Sequence, residues 1–257
     1  MANIRYEKQN RIALITMNRP EVMNCLNVKA MNELARIWAD FRDDENLWVA
    51  IITGEGDKAF CAGADLRELV PEITSGRYKM TPHMPAFLKN IDIYKPIIAA
   101  INGFCLAGGT EMIQGTDIRI AAEHATFGLA EPKWALFPAA GSTVRLPRQI
   151  PYCRAMEILL TGDPISAQEA LQIGLINKVV GKEDLMPTAM RYAERICENG
   201  PLAIKAIKES ALRCYEIPKE YANILETYYA REIFASEDAK EGPRAFVEKR
   251  KPVFRGK

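Results

Sequence analysis

PIIAAINGFCLAGGTEM, residues 96–112, runs from strand-forming residues through a glycine pair into the start of a helix. Its first half, PIIAAING (96–103), is apolar without alternation, the pattern of a strand buried on both faces. Its second half spends two glycines and a threonine just before a carboxylate in apolar surroundings. A helix N-terminus leaves amide N–H groups unpaired and carries the positive end of the peptide dipoles. Glycine there lets a ligand approach the backbone closely. With a helix starting near Gly108, that amide can hold an oxygen gaining negative charge, and Glu111, three residues on, shares its face. One short segment would then supply an oxyanion donor and a carboxylate side by side. A first-turn glutamate is also ordinary capping chemistry, so these residues alone leave both readings open.

The same rhythm recurs on either side. RIALITMN (11–18), WVAIITG (48–54) and DIRIAAE (117–123) read as strands, and the periodic VKAMNELARIWADFRDD (28–44) as a helix. Strands separated by helical crossovers share one sheet, so the core is α/β. From about residue 152 the character shifts. CRAMEILLTG, ISAQEALQIG and LMPTAMRYAERICENG are amphipathic helices ended by glycine, and the tail from PLAIKAIKESALRCYEI to AFVEKRK reads as entirely helical. An all-helix tail suits a second layer or a surface packed on a neighbouring subunit. The stretch 71–95 mixes Pro, Gly, Met and aromatic residues. It fits an adaptable loop over a pocket, or an ordinary surface loop followed by a helix.

Composition narrows the function classes. The 257-residue chain carries 34 Lys and Arg against 33 Asp and Glu, a balance that attracts neither nucleic acid nor an anionic membrane. The N-terminus lacks the apolar core of a signal peptide, and no run is long enough to span a bilayer. Six scattered cysteines without a C-x-x-C pair imply reduced, mostly buried thiols in a cytoplasmic protein. With only His83 and His124, a zinc or iron site of the common types is not expected.

Two further pieces could carry chemistry. In AFCAGADLREL (59–69), Gly63 and Ala64 offer a free N–H between a strand and a helix, although a simple tight turn explains the glycine equally. Neither a G-x-x-x-x-G-K-[ST] phosphate loop nor a G-x-G-x-x-G dinucleotide fingerprint is present. In TFGLAEPKWALFPAAGSTVRL (126–146), Glu131 sits among Phe127, Leu129, Trp134, Leu136 and Phe137. A carboxylate there resists ionising and can serve as a proton donor, whereas Glu111, near helix dipoles, is expected to be biased toward its charged form. The plainer alternative for Glu131 is a loop glutamate paired with Lys133.

Together and in this order, AFCAGADL, INGFCLAGGTEM, TDIRIAAEHATFGLAE and AAGSTVRLPR resemble the crotonase family, the enoyl-CoA hydratase/isomerase superfamily. The resemblance runs from NRP (18–20) to FVEKRKPVF (246–254). It implies a spiral of ββα repeats over 1–195 as the catalytic core. A helical region over 196–257 would trimerise and complete the CoA site, giving a homotrimer or a hexamer built as a dimer of trimers. It implies an acyl-CoA substrate, with no metal or redox cofactor and CoA present only as part of the substrate. The thioester oxygen would sit between the amides of Ala64 and Gly108. Glu111 and Glu131 match the two glutamates of true hydratases, which favours hydration of a trans-2-enoyl-CoA in fatty acid or related lipid breakdown. An isomerase, a hydratase for an unusual acyl group such as a sterol side chain, or an RNA-binding or non-catalytic member are the alternatives.

For CoA itself the resemblance points to Val22, to Asp65 and Leu66, and, from an adjacent subunit, to Phe246 and Lys249. Three departures from the family pattern stand out. Glu21 follows NRP where lysine is frequent, FPAAGS puts Ala139 at a common glycine position, and Leu129-Ala130 replaces a more polar pair, changes expected to reshape the acyl end of the site.

Overall fold

A computed structural model describes residues 2–76, 79 and 81–257, residue 73 by its backbone only. Two sheets share the chain. The larger runs in the order β1 (Ile4–Gln9), β2 (Ile12–Met17), β3 (Val49–Gly54), β5 (Ile97–Ile101), β7 (Ile118–Ala122) and β10 (Lys178–Val180). Its β1–β2 pair is antiparallel and all its other pairs are parallel. The smaller sheet is built from β4 (Ala59–Cys61), β6 (Phe104–Leu106), β8 (Thr126–Gly128) and the antiparallel β9 (Ile165–Ser166). The chain therefore steps from the large sheet to the small one three times, at β3 to β4, β5 to β6 and β7 to β8. After each step a helix follows: α2 (Leu69–Thr74), α3 (Gly108–Ile113) and, past the 3-10 helix Glu131–Trp134, α4 (Ser142–Gln149). This is the expected ββα spiral.

The uninterrupted apolar strands exist because the large sheet is covered on both faces. Every residue of β3 and β5 is buried. On one face lies α1 (Val28–Asp43), whose Leu34, Trp38 and Phe41 are fully buried, each contributing about 2–3 kcal/mol by leaving water. Its start is fixed by the Asn27 side chain, which accepts from the Ala30 amide. On the other face α7 (Leu185–Cys197) sets Leu185, Ala189 and Ala193 against Val49, Ile51, Ile98 and Ile120.

Past residue 152 the sequence reads as purely helical, but β9 and β10 return to the two sheets between α5 (Tyr152–Thr161), α6 (Ala167–Gln172) and α7. The composition changes before the core is finished. Beyond α7 the tail is helical as expected: α8 (Pro201–Cys214), α9 (Lys219–Phe234) and α10 (Glu237–Val247). Neither α8 nor α9 buries a residue, and Ile207, Leu212, Ile224 and Phe234 are exposed. All six cysteines are free, but only Cys61 and Cys105 are fully buried, and Cys153 is exposed.

Candidate active site

One apolar cleft of about 510 Å³ collects the residues singled out above. Ala64, Gly108, Glu111 and Glu131 all line it, along with Leu66, Met84, Phe87, Leu136 and Ala139. Trp134 and Phe137 stand exposed among its walls, at 68% and 69%. The stretch 71–95 flanks it through Met84 and Phe87 of the 3-10 helix Thr81–Phe87, while Arg77, Tyr78 and Met80 lie outside the described residues.

The two amides are set by backbone geometry. Leu26 bridges to Ala64 in parallel, its N–H donating to the Gly63 carbonyl and its own carbonyl accepting from the Asp65 amide. Because alternate amides of an extended chain point oppositely, the Ala64 N–H faces away from Leu26. Gly108 opens α3, where its N–H has no helical acceptor. Ala107 before it is held at φ 48°, an unusual conformation for a residue with a Cβ, costing about 1–2 kcal/mol. Two of the glycines are required by close approach. A Cβ on Gly63 would lie 2.7 Å from that of Ala107, at a φ of +98°. One on Gly109 would lie 2.2 Å from the Cys61 carbonyl oxygen. Gly109 thus answers for half of the glycine pair: it lets α3 sit directly on β4.

Glu111 is buried, at 4% exposure, and accepts from the Ser142 amide at 3.3 Å. Burial and the neighbouring Glu131 carboxylate push its pKa up to about 7, while the Ser142 and Ala140 amides and Lys89 pull the other way. The sequence expectation for Glu111 is therefore corrected. A two-turn helix offers one dipole end, and loss of water outweighs it. Glu131, at the start of the 3-10 helix Glu131–Trp134, also has its pKa raised by burial, as expected. Its Oε2 is buried without a hydrogen-bond partner. Lys133 does not pair with it but with Asp163. Burial thus raises both carboxyls, and the Glu131 charge adds to the rise at Glu111.

The remaining expected residues divide. Val22 ends the 3-10 turn Pro20–Val22, linked to Asp65 through Arg19, whose Nη1 donates to the Cys25 carbonyl and Nη2 to the Asp65 carboxylate at 3.1 Å. Asp65 thus spends its side chain inside the fold, and Leu66 at 51% exposure is the cleft-lining member of the pair. Phe246 and Lys249 sit at the end of α10, exposed and away from the cleft of their own chain. Of the three departures, Ala139 and Ala130 line the cleft, whereas Leu129 is fully buried in the core and does not line it. Sequence reasoning overlooked Lys89, Gln114, Ser142 and Arg145, which brace Glu111. None belongs to a recognisable motif, and only the fold brings them together.

The chain's relatives identify its family. The family model for enoyl-CoA hydratase/isomerase matches residues 7–257. Enoyl-CoA hydratase EchA19 of Mycobacterium tuberculosis is 42% identical over 255 residues, 98% of this chain and 96% of that protein. The (E)-benzylidenesuccinyl-CoA hydratase of Thauera aromatica is 40% identical over 253 residues, 98% of this chain and 99% of the other. Among solved structures, an enoyl-CoA hydratase from Bacillus anthracis superposes with a TM-score of 0.93 at 37% identity, covering 99% of this chain and 100% of that one. The chain belongs to the enoyl-CoA hydratase/isomerase family, the crotonase family.

Proposed function

We propose that the protein is an enoyl-CoA hydratase, a hydro-lyase that adds water across the trans-2 double bond of an enoyl-CoA to give a 3-hydroxyacyl-CoA. The observation that carries the reading is the meeting of the Glu111 and Glu131 carboxyls with Ala64 and Gly108 in one apolar cleft. Attack of water at the β-carbon drives electron density onto the thioester oxygen. The Ala64 and Gly108 amides hold that oxygen, each donor worth about 3 kcal/mol in a dry site. Glu111, gripped by amides that favour its charged form, orients and deprotonates the water. Glu131, with an oxygen free of other partners, delivers the proton to the α-carbon, and the roles reverse for dehydration. The step is acid–base chemistry without electron transfer, so it calls on no cofactor beyond the CoA of the substrate.

Val22, Asp65 and Leu66 form the CoA side of the site, with Asp65 acting through the backbone it orders. Residues 1–195 are the catalytic core, and 196–257 the region that assembles a homotrimer or hexamer. The exposed apolar side chains of α8 and α9 support this. Assembly brings Phe246 and Lys249 to a neighbour's CoA. The free cysteines fit a reducing, cytoplasmic setting. Loss of the enoyl absorbance of crotonyl-CoA and longer trans-2-enoyl-CoAs tests the activity. Glu131→Gln should keep fold and thioester binding but lose at least 100-fold in turnover. Near-normal turnover in that variant would overturn the assignment.

A further inference from the structure

The Lys89 ammonium donates to the Ala139 carbonyl at 2.7 Å, across 50 residues of chain. Ala139 lines the cleft and opens the turn Ala139–Ser142, whose Ala140 and Ser142 amides reach Glu111. The other end of that turn is held from the Glu111 helix itself, where Gln114 Nε2 donates to Ser142 Oγ at 2.8 Å. Arg145 in α4 (Ser142–Gln149) completes the lacing by donating to the Phe87 and Leu88 carbonyls. The Lys89 amide donates to Met84, so the same residue ties one cleft wall to the other.

We propose that Lys89 is a positioning residue of the hydration reaction: by clamping the Ala139 carbonyl it fixes the turn whose amides orient the Glu111 carboxylate. This rests on the hydratase reading. The charged groups facing Glu111 are Glu131 from the 3-10 helix after β8, Lys89 from the segment before β5, and Arg145 from α4. Glu131 opposes ionisation of Glu111 and Lys89 favours it. Lys89 therefore works in two ways on one carboxylate, through the turn and through its charge. A lysine that braced the chain without affecting the turn amides or the charge at Glu111 would influence stability without moving the protonation of Glu111.

The test is the pH profile of kcat for crotonyl-CoA hydration. Lys89→Met keeps the stem and removes the ammonium. Its acid limb should move upward by about half to one pH unit, since one nearby charge and the orientation of two amides are lost. The rate near pH 6 should then fall about 3–10-fold and approach wild type in alkali. Lys89→Arg should restore the limb. Lys89→Gln, which can still donate but carries no charge, should move it less and in the same direction, and replaces Lys89→Met if that variant does not fold. An unmoved limb, or an equal loss at every pH with arginine no better than methionine, would overturn the assignment. A wild-type protein that hydrates no enoyl-CoA would instead bring down the hydratase reading. Lys89 is then judged by carboxyl carbon NMR, with the Glu111 signal identified by its loss in Glu111→Gln. The same upward move in Lys89→Met is expected, and its absence refutes the role.

Discussion

Replacing Glu111 by glutamine should stabilise the fold in a pH-dependent way, because a buried carboxylate is a cost the folded chain carries for its site. In the native state the group titrates at about 7 instead of its ordinary 4.5. Between these values the native chain holds a proton that the unfolded chain has released, so stability falls as pH rises through this window. Below 4.5 both states are protonated and the penalty is absent. Above 7 it is complete, and the gap is worth about 3 kcal/mol. Glutamine is neutral throughout, and its side-chain oxygen can still accept from the Ser142 amide. The stability of Glu111→Gln relative to wild type should therefore improve by about 2–3 kcal/mol between pH 5 and pH 8, or roughly 4–6 °C in Tm for a chain of this size. Urea denaturation of both proteins at equal concentration across that range measures it, with an unchanged m-value showing that the unfolded state is the same. Turnover should collapse in the same variant. A stability difference that is flat with pH, or largest in acid, would refute the claim that burial governs Glu111.

Gly109→Ala forces a Cβ against the Cys61 carbonyl, which must yield by roughly 0.8 Å to reach even a 3.0 Å contact, and neither backbone can move cheaply. Stability should fall by about 1–3 kcal/mol and turnover by about 100-fold, as the Gly108 amide shifts away from that of Ala64; wild-type turnover in the folded variant would show that the contact does not set the site. Sedimentation should return the mass of three or six chains, and Ile224→Asp with Phe234→Asp, both exposed on α9, should lower it toward one; a monomeric wild type would remove the neighbour from the CoA site.

How much of this is legible in the sequence depends on how many residues a feature spans. β2, β3, β5 and β7 each have five or six residues, enough for an apolar run to register, and α1 shows its period over four turns. β4, β6 and β8 have three residues each, too few for any pattern, although together with β9 they make the entire second sheet. β1 is a mostly exposed edge strand in which only Ile4 and Tyr6 turn to the core, too short an alternation to register. At the site, Gly108 with Glu111 and Gly63 with Ala64 are readable because strand-to-helix turns impose local rules on their amides. That Glu111 and Glu131 face each other is a long-range fact, read from the sequence only through resemblance. The ionisation of Glu111 escapes sequence reasoning for the same reason: helix dipoles are local, whereas desolvation depends on everything packed around the group.

Three of the places where this chain breaks local rules fall together. An alanine at positive φ, a buried glutamate and a carboxyl oxygen without a partner all occur within residues 107–131 and meet at one cleft. Each lowers stability by about 1–3 kcal/mol, and none is needed to build the two sheets or to pack α1 and α7 on them. A sequence shaped by folding alone would lose such features, since simple substitutions remove them. Their persistence at a single point therefore argues for chemistry there, independently of any resemblance. It also explains why the same substitution, Glu111→Gln, is expected to strengthen the fold and silence the site.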